Sequence, residues 1–448
     1  MCFRFLKLLL ILLFSLAFLA GSDVCVSKAA LMTSCLALGL ALIMVDSLWL
    51  SKSQNQEIGN QSLFSILSQY RWHPCWAWLA WAIYMGIRIL QTPNHHYLLT
   101  HGYSLIIGSL GFIIGFLLLF YQSKKPWLMN VWLWTLGIIC FIQIIFCILQ
   151  FTVDSNLIVH ERSVARESDY VKGTYFFEGG FGLFASLITS FLGAYLLSQF
   201  KRLKLIQKIV AGLGFVVMMF LTFHSNSLTG MIIASLCLTL FPLFYYLSFI
   251  SIFKRRLQWK LLTIGGLSAA IAVVIVGIIW NQQLPIQDRL DIKFLSAYNA
   301  RLQYADLAFA LMAEKPWFGH GARMFNHLYL TVYDGDSSIW HNYDVERVHQ
   351  EVIQLLCDYG MVGLALFITP LIWSLIYFIK LAKDKIKSHN TSLYTEWLKD
   401  IWPFFILSIA ILITTLGDFS LHYSNNCFLL GLCLGAINAW LKPPHKEA

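Results

Sequence analysis

The 448-residue chain is 58% hydrophobic and only 12% charged, with a formal net charge of +9 and a mean hydropathy of +0.67. A soluble domain carries roughly 25% charged residues, so a soluble enzyme is excluded and lipid is the solvent for most of this chain. The positive charge lies in short connectors between apolar runs, which marks membrane topology and argues against a nucleic-acid partner.

In chain order, the first apolar run (5–21) follows Arg4 and Lys7 and has the outline of a secretory signal. The polytopic remainder needs no cleavable signal, so the run is read as an uncleaved first span. Apolar stretches of about 20 residues, the length that crosses a bilayer, then recur near 28–50, 74–92, 102–121, 127–151, 173–198, 207–224, 228–250, 261–280, 352–380, 401–417 and 424–441. The expectation is an all-α integral membrane protein of about twelve transmembrane helices. The basic connectors "SKKP" (123–126), "KRLKLIQK" (201–208), "KRRLQWK" (254–260) and "KLAKDKIK" (380–387) all fall on one side of that alternation. The positive-inside rule places this side, and both termini, in the cytoplasm.

Two connectors on the opposite face are not simple turns. Residues 152–172 carry both signs of charge, and residues 281–351 form a far longer loop with Arg289, Arg301, Arg323 and Arg347. Long structureless loops are uncommon unless functional. The chain therefore divides into spans one to nine (1–280), a large outer loop (281–351), and spans ten to twelve with a short tail (352–448). Within the loop, Leu302, Ala305, Leu307, Phe309, Leu311 and Met312 make an apolar stripe stopped by Pro316 and Gly319. That pattern predicts a helix lying on the outer membrane surface or packed over the bundle.

The ten cysteines lie mostly in or beside apolar runs, and none has C-x-x-C spacing. They read as small hydrophobes, with no metal site and no disulfide framework.

The chemistry concentrates in "VHQEVIQLLCDYGMVG" (348–363), which begins polar and ends as a membrane helix. A helix starting here points its free N–H groups outward and favours an anion nearby. His349, with Gln350 and Glu351 beside it and the loop arginines close in sequence, suits work on a phosphorylated substrate. A polar interfacial cap is the alternative use of the same residues.

Together, "ARLQYADLAFALMAEKPWFGHGARMF" (300–325) and "VHQEVIQLLCDYGMVG" resemble the motifs of the O-antigen ligase and polymerase family. Arg301, Pro316, Gly319, Gly321 and Phe325 match the first motif. His349, Gln354, Asp358, Gly360 and Gly363 match the second, with Gln350 and Glu351 where Asn and Asp are usual. The match covers about sixty residues, and the span count extends it along the chain. The resemblance implies a GT-C-like membrane enzyme in the bacterial inner membrane, with its active site facing the periplasm. Such enzymes move a glycan from an undecaprenyl-pyrophosphate carrier to an acceptor hydroxyl, with inversion and without metal or other cofactor. The acceptor is a lipid A–core sugar or similar in a ligase, and a growing repeat-unit chain in a polymerase. His349 would be the base and Arg301 the pyrophosphate clamp, with Arg323 and Arg347 as further substrate contacts.

The family's second arginine, at the start of the eighth span, is missing: "FHSNSLTG" has Asn226 or Leu228 there. Arg162, Arg166 and Lys172 in the 152–172 loop are the replacements to consider. So is Arg88 near the outer end of the third span, where snorkelling is an equal explanation. Glu178, near the outer end of the sixth span, stands where the family carries sugar-contacting polar residues. "DGDSS" (334–338) with His341 imitates a D-x-D metal site on the wrong side of the membrane for nucleotide sugars, and reads as a solvated loop. Asp46 and His224 read equally well as core polars. A transporter would show two related halves, and this chain shows none.

Overall fold

The computed structural model describes residues 2–20, 26–53, 73–93, 95–120, 127–153, 173–175, 178–225, 227–239, 241–243, 245, 295–332, 348, 350–387, 391–417, 421 and 424–440. Every regular element among them is a helix, as a chain in lipid requires: only a helix satisfies its own backbone without water. In order these are α1 (Cys2–Ala20), α2 (Val26–Ser53), α3 (Cys75–Leu90), α4 (His95–Phe120), α5 (Trp127–Thr152), α6 (Glu178–Gln199) and α7 (Leu205–His224). There follow α8 (Leu228–Leu238), α9 (Leu295–Glu314), α10 (Phe325–Val332), α11 (Glu351–Lys387), α12 (Thr391–Gly417) and α13 (Ser424–Trp440).

Helices cover all or part of eleven of the expected stretches, only Leu228–Leu238 of the one at 228–250, and the stretch at 261–280 lies outside the described residues. Among the described residues six helices (α2, α5, α6, α7, α11 and α12) are long and apolar enough to cross a membrane, and α1, α3, α4 and α8 contain shorter apolar stretches.

Small residues set the closest packing. α4 and α13 meet along Gly108, Gly111 and Gly115 on one side and Gly431 and Gly435 on the other, so close that a Cβ on Gly435 would run into the Phe112 carbonyl. Such seams let backbones approach where lipid offers no hydrophobic drive for association. α6 is largely enclosed, packed against α7, α8 and α12. At one end of the bundle Arg202 pairs with Asp400 at 2.6 Å, and Gln199 donates to Asp400 and to the Lys399 carbonyl. The basic connector after α6 and the early part of α12 therefore share an end, as the charge alternation requires.

α9 and α10 form a small separate cluster packed on the first turns of α11. Ala308, Leu311, Phe325, Tyr329, Val348 and Cys357 are its buried core. The expected stripe on α9 is only half correct. Ala305 and Leu311 face inward with Tyr304 and Ala308, whereas Leu302 and Phe309 are exposed. The helix packs over the bundle along the neighbouring face.

Candidate functional site

The site is built where α11 breaks. Gly360 has φ 67° and ψ −172°, a conformation essentially reserved for glycine, in the middle of an otherwise continuous helix. A break orphans carbonyls before it and N–H groups after it, and buried orphans must find partners. All five that the structure shows are satisfied by other segments. The Cys357 and Asp358 carbonyls accept from His320 N and Gly321 N at 3.0 and 2.8 Å. The Tyr359 carbonyl accepts from Tyr84 Oη at 2.7 Å. Met361 N and Val362 N donate to the Pro316 and Trp317 carbonyls at 2.9 and 3.1 Å.

The two sequence motifs thus form one knot. Gly319, also at φ +67°, lies against the Asp358–Tyr359 backbone, and Gly360 lies against that of Trp317 and Phe318. The end of α3 braces the same loop. Arg88 Nη2 donates to the Gly319 carbonyl at 3.0 Å, and Thr92 Oγ1 accepts from Ala322 N at 2.9 Å.

Above the break a side-chain chain fixes the turn that precedes α11. Val348 N donates to Gln354 Oε1 at 3.1 Å, and Gln354 Nε2 donates to Asp358 Oδ2 at 2.9 Å. Glu351 Oε1 accepts from Leu421 N at 3.1 Å, tying the start of α11 to the connector before α13. Arg323 occupies the turn between the knot and α10 with φ 57°, the only non-glycine positive φ among the described residues, and is 9% exposed.

These residues form the polar end of a cavity of about 410 Å³ between α3, α4, α11 and α13. Arg323, Gln350, Glu351, Gln354 and Asp358 line that end, and Trp78, Trp81, Phe112 and Phe367 line the rest. Along α3 the lining runs from Met85 to Cys75, roughly 15 Å at 1.5 Å per residue. Trp81 packs on Phe367 at 5.5 Å between ring centroids and edge-on to Trp78 at 6.1 Å. A deep apolar pocket ending in one cation, two carboxylates and two side-chain amides has the outline of a site for an amphiphile with a long hydrocarbon part and a polar head.

Residues 213–368 match the family model described as O-antigen ligase, a segment running from α7 through both motifs to the upper half of α11. This match, over about a third of the chain, supports the resemblance to the O-antigen ligase and polymerase family. With the apolar helices it supports a multi-pass membrane protein of the glycan-processing ligase and polymerase type. No curated protein matches the chain. The cavity walls from α3, α4 and α13 lie outside the matched segment.

Of the residues expected at the site, Arg323, Gln350 and Glu351 line the cavity. Arg301 sits half-buried on α9, outside the described lining of the cavity. Arg88 faces a different hollow, formed with Glu314–His320, and donates through Nη1 to Gln91 at 2.7 Å as well as to Gly319. Glu178 opens α6. Arg162, Arg166, Lys172, Arg347 and His349 lie outside the described residues, as does His341.

The segment lacking the family arginine is close-packed. Ser225 and Ser227 are buried against Gly182, and Ser227 Oγ caps α8 by accepting from Gly230 N at 3.2 Å. His224 is a packing residue, with its ring 4.1 Å from that of Phe220 and 6.0 Å from that of Phe151.

Sequence reasoning missed the tryptophan-lined cavity wall, although "PCWAWLAW" (74–81) places Trp78 and Trp81 one turn apart. It also missed that Gln354 and Asp358 bond to each other.

Proposed function

We propose that the protein transfers a glycan from an undecaprenyl-pyrophosphate carrier to an acceptor hydroxyl, of a lipid A–core or similar glycolipid, at the periplasmic face of the bacterial inner membrane. The observation that carries this reading is the cavity, apolar along its depth and closed at its polar end by a buried arginine in a left-handed turn. The polyprenyl chain lies along Trp78, Trp81 and Phe367. The pyrophosphate meets Arg323 at the start of α11, with Arg301 and Arg347 supplying further positive charge from the loop. The basic connectors, read as cytoplasmic, support putting this end outside.

His349 follows Val348, whose backbone is held by Gln354. It accepts the proton of the acceptor hydroxyl as that oxygen attacks the anomeric carbon on the face opposite the pyrophosphate. The bond from the anomeric carbon to the phosphate oxygen breaks, and its electron pair leaves with undecaprenyl pyrophosphate. Inversion at that carbon follows. Arginine charge stabilises the developing anion, the part a divalent ion would otherwise play.

The test is transfer by the purified protein in lipid nanodiscs, supplied with a polyprenyl-pyrophosphate-linked glycan and a core-type acceptor. Loss of a general base is typically worth ~10²–10⁴-fold, so His349→Ala reduces turnover by that order while donor KM holds. Arg323→Ala raises donor KM roughly 10- to 100-fold, the scale of a hydrogen bond to a charged group. Wild-type turnover in His349→Ala would remove the base. Product extended on a second lipid-linked glycan, with none on the core acceptor, would make the protein a polymerase.

A further inference from the structure

A second hollow begins where the cavity ends. It is open-sided, measures about 730 Å³, and has Arg88, Gln91, Glu314, Lys315, Trp317 and Phe318 in its walls. That volume falls within the roughly 300–1,000 Å³ of small-molecule sites. On α3 the cavity lining ends at Met85, and Arg88, about one helical turn further on, lines the hollow. In the turn before α10, Arg323 lines the cavity and its neighbour Met324 lines the hollow. On both walls, therefore, a turn or less of chain separates the two spaces, with Arg323 at the boundary.

The two aromatic rings of the hollow are exposed yet held. Trp317 and Phe318 are 62% and 57% exposed. Their backbone is fixed on both sides. The Pro316 and Trp317 carbonyls accept from Met361 N and Val362 N, and the Gly319 carbonyl accepts from Arg88 Nη2. Large rings on a rigid backbone offer a contact surface that needs little ordering when a ligand arrives. Groups of both charge signs and an amide surround them. Gln91 Oε1 accepts from Arg88 Nη1 at 2.7 Å, which fixes the plane of that amide. A hydrocarbon chain gains nothing from the charged and amide groups, and a bare phosphate gains nothing from the rings. A sugar ring uses both kinds of wall. Its C–H face packs on an aromatic ring, and its rim of hydroxyls both donates and accepts.

We propose that this hollow is a subsite for the donor's glycan, taking sugar rings beyond the pyrophosphate on Trp317 and Phe318, with Gln91 and Glu314 as hydroxyl contacts. The inference rests on the proposed function, since it takes the cavity as the site of the carrier. The order of the donor then follows the order of the protein: polyprenyl chain in the cavity, pyrophosphate at Arg323, sugars against the end of α3 and the loop after α9.

The experiment measures displacement of a fluorescent polyprenyl pyrophosphate from the protein in lipid nanodiscs. The competitors are the bare carrier pyrophosphate and the same carrier bearing the glycan isolated from the source organism. The wild-type protein binds the glycan-bearing carrier roughly 2- to 10-fold more tightly, the scale of one aromatic contact. That gap closes in Trp317→Ala and is largely kept in Trp317→Tyr, which retains a ring. Equal affinities of the wild-type protein for the two carriers overturn the inference, and this arm needs no variant to fold. A gap that survives in Trp317→Ala overturns it too; equal weakening of both carriers there would mark the rings as anchors in the lipid headgroups. The inference also fails if the glycan adds nothing to carrier binding while Trp317→Ala raises the KM of the acceptor, which would assign the hollow to the acceptor. Wild-type protein that binds neither carrier contradicts the proposed function itself, and the inference falls with it.

Discussion

Arg323 carries two costs in one residue. Its guanidinium is largely withdrawn from water and its backbone is left-handed, which costs of order 1–3 kcal/mol for a residue with a Cβ. The neighbouring Asp358 carboxylate offsets part of these costs. His73, at the far end of α3, is the contrasting case of a residue held by structure alone. Its Nδ1 accepts from Cys75 N at 3.3 Å while Nε2 lies 3.0 Å from the Asn438 carbonyl, so the neutral ring with its proton on Nε2 fits both contacts. Burial lowers its pKa below the usual histidine value of 6.5, and the Asn438 carbonyl offsets only part of that shift. A depressed histidine pKa means that the unfolded chain binds the proton more readily. The contribution of His73 is therefore complete above about pH 6.5 and is lost as pH falls toward the folded-state value. The melting temperature in detergent is expected to fall between pH 7 and pH 5, and the slope should flatten in His73→Gln. An identical slope in that variant would assign the acid sensitivity to other groups.

At the scale of elements, the break in α11 and the loop between α9 and α10 are one unit, because each supplies the hydrogen bonds the other lacks. Gly360→Ala puts a Cβ into the Trp317 backbone and forces a glycine-only conformation, so it should cost about 2–5 kcal/mol. Gly212→Ala on α7 is the control. Nothing lies within 4 Å of the added Cβ, and a helical Gly→Ala change gains roughly 0.5–1 kcal/mol. Melting of the two variants separates them, and equal values would mean that the knot contributes little. Much of this unit was legible in the residues. Pro316 and Gly319 mark the end of α9, and the glycine spacing pairs the two motifs. The break at Gly360 was not legible, because "CDYGMVG" sits inside a hydrophobic run and a lone glycine is tolerated in such helices. The cavity wall was hidden for a related reason. In lipid both the packed and the exposed faces of α3 are apolar, with Trp78 buried and Leu79 and Ile83 exposed, so hydrophobic periodicity cannot tell them apart. The polar end was easier to read, because polar residues at a span's mouth stand out against that background. Of those residues, Glu351 proved to bond the Leu421 backbone as well as line the cavity, and Arg88 to brace the loop.

For the whole molecule, the matched family segment and the rest of the chain divide the labour. Residues 213–368 carry both motifs, while α3, α4 and α13 add the apolar walls that make the cavity deep. The α4–α13 glycine seam fixes two of those walls together, and the α3–α11 contact places the third against the broken helix. The central claim is that the carrier lipid lies in this cavity with its pyrophosphate at the start of α11. Photocrosslinking tests it most directly, using the protein in nanodiscs with a polyprenyl pyrophosphate that bears a diazirine on its chain, followed by peptide mapping. The account predicts adducts on Trp78, Trp81, Phe112 or Phe367, competed away by unlabelled polyprenyl pyrophosphate and reduced in Arg323→Ala. Adducts confined to the exposed apolar face of α7, at Leu213, Val216 and Phe220, and insensitive to competitor, would contradict it.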